Sequence, residues 1–456
     1  MVDLSRYQDV FGQMSFLKSY THLIVGFPLS DDISEQSVIK LLEDASGQLS
    51  SIFPWLACKV INEGSSPGNT GVFKVAPCPL WATPNSIVRV KGCYDLCPSY
   101  QEILKAGGPI PMLEGKILAP CVAFPQSYQE SESNPAPVAT IQVNFIKGGL
   151  LLDFAAQHNI MDGSGIAQWM RMFGKAMRGE ELSVLDIEQG NRDRRNMVPL
   201  LGTDEPMLDH SALQRLQQPT TQHGQRRPSS TWHYFRFSAA KLAQLKALAA
   251  RSEDFVSSVG FITTNDALSA FCWKRLVAVR LLRGSVKPNT VSKFFRAVDA
   301  RRAMGVPKEY MGHMVYIAIT SIESGKLVEA PLAAIASEMR KDVSDVNTEY
   351  TMRSFVTLIA NTPDKSTIAY GATFNPDNDL GMSSFTHWGT YGVEFGLLGM
   401  PELVRRANFQ PPIESDIYLM PSTNERDIDA LLCVTDEDLK GLRSDEQWSS
   451  YTEYIG

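Results

Sequence analysis

Two apolar runs, ATIQVNF (139–145) and LLLDFAA (150–156), stand on either side of Ile146-Lys147-Gly148-Gly149. No other feature constrains the fold as much, because strand-length apolar runs joined by a short glycine-containing turn predict a hairpin. The second run leads directly into Gln157-His158-Asn159-Ile160-Met161-Asp162-Gly163. After that glycine, SGIAQWMRMFGKAMRG places Ile166, Trp169, Met170, Phe173 and Met177 on one helical face. A strand, a sharp glycine-bearing turn and an amphipathic helix therefore surround a histidine and an aspartate four residues apart.

The same α/β signals recur along the chain. THLIVGFPL (21–29) reads as a strand, and residues 34–53 place Val38, Leu41, Leu42, Ala45, Leu49 and Ile52 at helical spacing. LQQPTTQHGQRRPSS (216–230) is polar, proline-bearing and nearly free of apolar residues, which marks an exposed linker. Beyond it come a strand at 232–238, a helix at 239–252 and a longer helix starting near Thr264, with Thr263 and Asp266 set as a capping box. These elements predict two α/β halves, 1–215 and 232–456, joined at 216–231.

The chain has 456 residues, of which 44% are hydrophobic and 20% charged, so it can build full-sized cores. Its N-terminus lacks the basic and apolar regions of a signal peptide, and no apolar run is long enough for a membrane helix. The seven cysteines are scattered, with only Cys93 and Cys97 close together. The expectation is a reduced cytoplasmic protein. A net charge of −7 argues against nucleic-acid binding. From Trp273 to Lys308, however, ten lysines and arginines face a single aspartate, a local +9. Such a run is usually a solvated face, but this asymmetry suits a small polyanion.

His158 admits three readings. A metal site is disfavoured, because His158 and Asp162 supply two groups where catalytic zinc takes three, and no other histidine has paired spacing. GSSPG (64–68) matches a nucleophile-elbow pattern but is followed by proline and a strand instead of a helix. No phosphate loop or dinucleotide fingerprint is present. The remaining readings are a general base and a core histidine bonded to backbone. The strand–HxxxDG–helix setting favours the base, since a tight turn can hold one tautomer with its free nitrogen towards a substrate.

The HxxxDG stretch resembles the motif of BAHD-type acyl-CoA-dependent acyltransferases. Further stretches agree in the family's order: TTNDALSAFCWKRLVAVRLL (263–282), RAVDARRAMGVPKEYMGH (296–313) and MSSFTHWGTYGVEFGLLGMPELVRR (382–406). GNTG (68–71), VNFIKGGL (143–150), FRAVDARRAMGV (295–306), NTPDKS (361–366) and DEQWSSYTEYIG at the end are similar to the fungal trichothecene 3-O-acetyltransferase branch.

The resemblance implies a two-domain α/β fold of the chloramphenicol-acetyltransferase-like type. Its sheets are mixed, an inter-domain solvent channel crosses it, and part of 355–395 packs against the first sheet. It implies acyl transfer by a monomer, with acetyl-CoA or another acyl-CoA as co-substrate and no permanently bound cofactor or metal, to a small-molecule alcohol or amine, foremost a hydroxyl of a secondary metabolite such as a terpenoid. His158 would be the base, Asp162 a structural partner of Arg301, and Ser383 a candidate oxyanion donor. Thr263 falls where relatives contact the coenzyme. Lys274, Lys293 and Arg296 are added as phosphate contacts from the charge argument. Glu394 and Gly396 occupy the structural D-F-G position. This chain departs from the pattern at Glu394 for aspartate, Leu397-Leu398-Gly399 without tryptophan, Phe385 for tryptophan, His313 for asparagine, and Gln157 for the first histidine of condensation domains. Two rival readings are a condensation-type enzyme fed by a carrier protein, and a binding protein or non-acyl-transferring catalyst on the same fold.

Overall fold

Between Tyr20 and Gln157 the computed structural model places β1 (Tyr20–Pro28), β2 (Cys58–Glu63), β3 (Val72–Pro77), β4 (Val88–Gly92), β5 (Ala139–Ile146) and β6 (Gly149–Gln157). The structure describes residues 3–81, 85–123, 131, 133–215, 229–410 and 412–456. Of the expected linker, 216–228 lie outside the described residues. The expected hairpin is β5–β6, with Phe145 opposite Leu150 and Ile146 opposite Gly149. Gly148 turns the chain at φ 76°, a left-handed conformation that glycine adopts without steric cost.

Every residue of β5 and β6 is buried, because both strands are interior to a five-stranded sheet ordered β11-β1-β6-β5-β4. One face carries the helix Gly163–Met177, whose expected apolar stripe is entirely buried. Phe154 meets Trp169 at 5.2 Å and Phe173 at 5.6 Å between ring centroids. Each such aromatic contributes roughly 1.5–3 kcal/mol by leaving water. The opposite face is covered by Tyr100, Ile103, Leu113 and Leu118, which meet Ile24 and Leu151. β2 and β3 form a separate hairpin, and GSSPG is the turn at its end.

The second half contributes β7 (Ser230–Phe237), β8 (Val291–Asp299), β9 (Val315–Glu323), β10 (Leu380–Ser384), β11 (Leu403–Arg405), β12 (Asp416–Leu419), β13 (Ile428–Thr435) and β14 (Glu453–Tyr454). All but β11 join a seven-stranded sheet ordered β14-β7-β13-β12-β10-β8-β9. It is mixed, since β10 runs parallel to both β8 and β12. The helix Thr264–Arg283 begins at the expected capping box and ends at Gly284. Its Phe271 stacks on Trp448 at 5.7 Å.

β11 crosses to the other sheet, where Val404 pairs with Val25 of β1. The chain leading to it lies in the first core, with Phe395 against Phe27 at 5.3 Å and Phe154 at 6.0 Å. Of the 355–395 stretch, residues from Phe385 onward belong to this crossing. The helix Glu349–Asn361 packs elsewhere, with Phe355 against Phe11 and Tyr316.

Candidate active site

His158 is the first residue after β6, and its main-chain N–H donates to the Ser19 carbonyl at 2.8 Å. The ring is half-buried on the wall of a cavity of about 640 Å³ between the two sheets. Tyr20 and Thr21 line it from the first sheet, and Phe295, Ala297, Ser383 and Tyr418 from the second. His158 Nδ1 is turned into the protein near the carbonyls of its own turn, without a well-aligned partner, so Nε2 is the nitrogen open to the cavity. Burial holds the imidazole below its ordinary pKa, although the Asp162 charge pulls the other way. The ring is therefore neutral at physiological pH, with a lone pair free to accept a proton.

Asp162 holds the turn in place. Its carboxylate caps the following helix by accepting from the Gly165 N–H at 2.9 Å, and it accepts from the Met314 N–H at 2.9 Å. Arg301 engages both oxygens, at 2.8 and 2.9 Å. Burial alone would push this carboxyl up, but the Arg301 guanidinium and the N–H donors outweigh it and hold the group ionised. Arg301 also donates to the carbonyls of Tyr310 and Gly312. The HxxxD turn is thus clamped by the second half of the molecule. His313 adds a second ring 5.0 Å from His158. Its Nε2 bonds the Tyr370 hydroxyl at 3.0 Å, which itself donates to the Val315 carbonyl. Burial, then the neighbouring His158, pushes His313 down to about 3, so it stays neutral beside the site.

Gly163 opens the helix under Trp388. A Cβ there would stand 2.4 Å from the indole, which is stacked on Phe385 at 4.2 Å and has little room to retreat. Gly163→Ala is expected to cost about 1–3 kcal/mol through overpacking, read as a lowered denaturant midpoint. An unchanged midpoint would show that Trp388 yields.

The other candidates scatter. Ser383 lines the His158 cavity, and its hydroxyl has no protein partner among the described residues. Thr263 spends its hydroxyl on the Asp266 carboxylate at 2.7 Å and accepts from Arg340 at 3.1 Å. Lys274 donates to the Ala330 carbonyl, and Lys293 to that of Thr373 at 2.7 Å. Arg296 is paired with Asp266 and Asn265. The sequence-local +9 is not a free charge in space, because Arg275, Arg280, Arg283, Arg296 and Arg301 each meet an aspartate. Glu394 is exposed, and its carbonyl accepts from Arg178. Gly396 takes φ 58° against the Met177 carbonyl. Neither touches the cavity. Sequence reasoning did not single out Tyr370, Trp388 or Arg406, all of which line it. Only Arg406 had a visible signal, a cation inside the apolar stretch LVRRANF. Among the described residues no group of three His, Cys, Asp or Glu side chains could hold a metal, and no helix could cross a membrane.

The model of the Trichothecene 3-O-acetyltransferase-like N-terminal domain matches residues 19–177, and that of the Transferase family matches 121–448. The chain is 50% identical over 461 residues to the O-acyltransferase pigD of Monascus ruber, spanning 100% of both. It is 44% identical over 455 residues to the O-acetyltransferase epaC of Aspergillus niger, covering 100% of this chain and 98% of that one. The crystal structure of F. sporotrichioides TRI101 complexed with coenzyme A and T-2 matches with a TM-score of 0.90 at 33% identity, over 98% of this chain and 99% of that one. With the motif order, the two-sheet fold and full-length relatives in agreement, the chain belongs to the Transferase family, the BAHD-type O-acyltransferases.

Proposed function

We propose that this O-acyltransferase moves an acetyl group from acetyl-CoA to a hydroxyl of a small secondary metabolite, with His158 as general base. The observation that carries this reading is the neutral imidazole of His158, open at Nε2 to a cavity large enough for a small acceptor together with the acyl end of its donor. Relatives named O-acetyltransferases, and a structural relative complexed with coenzyme A and T-2, support it.

Nε2 takes the proton of the acceptor hydroxyl as its oxygen attacks the thioester carbonyl. The carbonyl electrons move to oxygen, and the Ser383 hydroxyl donates to that oxyanion, a contribution of roughly 3 kcal/mol at the transition state. Collapse expels the thiolate of coenzyme A, which recovers the proton from His158. No covalent enzyme intermediate is needed. The cavity serves as a channel reached by the coenzyme from one side and the acceptor from the other. Thr263 is the foremost coenzyme contact because it falls where relatives contact the coenzyme, and it would exchange its bonds with Asp266 and Arg340 for that contact. Lys274, Lys293 and Arg296 are further contacts, each of which would exchange an internal partner for phosphate. The chain works as a monomer.

The test is incubation of the purified protein with free acetyl-CoA and a panel of polycyclic alcohols. The expected result is release of free thiol with a product heavier by one acetyl group. A chain that accepts acyl groups only from a carrier protein would release none.

Because burial lowers the His158 pKa, the base stays deprotonated further into the acid range. The acid limb of kcat/KM is therefore expected below about pH 6.5, the unperturbed imidazole value. A limb at or above that value would contradict the assignment.

A further inference from the structure

Arg406 follows β11 with its main chain fixed by Tyr234, whose hydroxyl accepts from the Arg406 N–H at 2.8 Å and donates to its carbonyl at 3.3 Å. The residue is 6% exposed and lines the His158 cavity. Its guanidinium lies 4.0 Å over the Tyr418 ring and 5.9 Å from that of Phe385. Yet no carboxylate, carbonyl or hydroxyl among the described residues accepts from that guanidinium. The other deeply buried arginines all have acceptors. Arg194 bonds the Ile160 carbonyl, Arg280 pairs with Asp438, Arg301 with Asp162 and Arg405 with Asp429. Asp416 shares the cavity wall but forms no ion pair with Arg406, and its carboxyl interacts with the Tyr418 hydroxyl.

The guanidinium nitrogens instead face the open space of the cavity, where a ligand oxygen can take the place of water. Around it the cavity wall is aromatic: Phe385 stacks on Trp388 at 4.2 Å and on Tyr418 at 5.7 Å. Arg406 and His158 line the same cavity, so whatever Arg406 binds shares it with the reacting atoms. The donor presents a neutral thioester there, and its phosphates are a pantetheine arm away.

We infer that Arg406 receives a negatively charged oxygen of the acyl acceptor, an aromatic alcohol packed against Phe385, Trp388 and Tyr418. This rests on the reading that the cavity holds the acceptor. The charged oxygen belongs to a carboxylate or to an acidic conjugated hydroxyl, and charge-assisted hydrogen bonds to the guanidinium supply the selectivity.

Equilibrium titrations of the full chain with 6-(hydroxymethyl)-2-naphthoate and with its neutral counterpart, 2-naphthylmethanol, test this without acyl transfer. A third probe, 6-hydroxy-2-naphthylmethanol above its phenol pKa, separates the two sources of charge. Wild type is expected to bind at least one anionic probe about tenfold or more tighter than the neutral alcohol. Arg406→Met should lose that preference while binding the neutral alcohol within about twofold of wild type, and Arg406→Lys should keep part of it. Equal wild-type binding of charged and neutral probes overturns the inference, as does an undiminished preference in Arg406→Met. The wild-type comparison decides alone if the methionine variant does not fold. Failure of the acyl-transfer reading would look different: intact probe binding with no thiol released from acetyl-CoA.

Discussion

Replacing His158 with alanine is expected to lower kcat for acyl transfer roughly 10²–10⁴-fold, the range for loss of a positioned general base. The fall should appear in kcat and kcat/KM together, because the imidazole acts on a proton that moves only in the transition state. The fold should survive. No well-aligned hydrogen bond holds the His158 side chain, and the turn that carries it is locked by Asp162, Arg301 and the Ser19 carbonyl. Steady-state kinetics beside a denaturant melt check both halves of this expectation. Activity within about tenfold of wild type, from a protein with an unchanged melt, would remove His158 from the mechanism and favour a binding or non-acyl-transferring role.

What could be read in the sequence follows from distance along the chain. The β5–β6 hairpin, the helix Gly163–Met177 and the Thr263–Asp266 capping box all form from neighbours, so periodicity and turn chemistry show them directly. His158 and Asp162 were visible for the same reason. The positive run overstates the free charge because its partners are remote: Asp445 for Arg275, Asp438 for Arg280 and Arg283. A charge count along sequence cannot see neutralisation across a fold. The residues themselves gave no sign that β11 crosses to the first sheet, since a three-residue strand has no periodicity to detect. The same crossing brings Trp388 and Arg406 to the cavity, and only the assembled fold shows that Arg406 has no acceptor among the described residues while its neighbour Arg405 has Asp429.

Arg301→Leu is expected to destabilise the protein by about 3–5 kcal/mol, the usual consequence of stripping one partner from a buried ion pair. Asp162 is fully buried and would keep only the Gly165 and Met314 N–H donors, while the Tyr310 and Gly312 carbonyls would lose theirs. Asp162→Asn should cost less, since its side-chain oxygen still caps the helix and Arg301 keeps Asp299 and the Tyr310 and Gly312 carbonyls as partners. The pH dependence separates this from simple loss of packing. Asp162 has a folded pKa below its unfolded value, so its contribution is fully present above about pH 4 and is lost as pH falls through the folded pKa. Without Arg301, burial raises that pKa, so the destabilisation relative to wild type should be largest at neutral pH and shrink on acidification. A denaturant series at several pH values reads both quantities. If Arg301→Leu unfolded at the wild-type midpoint at pH 7, the clamp between the two halves would not be what fixes the HxxxD turn. The geometry argues otherwise, because the same guanidinium that neutralises Asp162 also ties it to the second half and so sets where His158 meets the cavity.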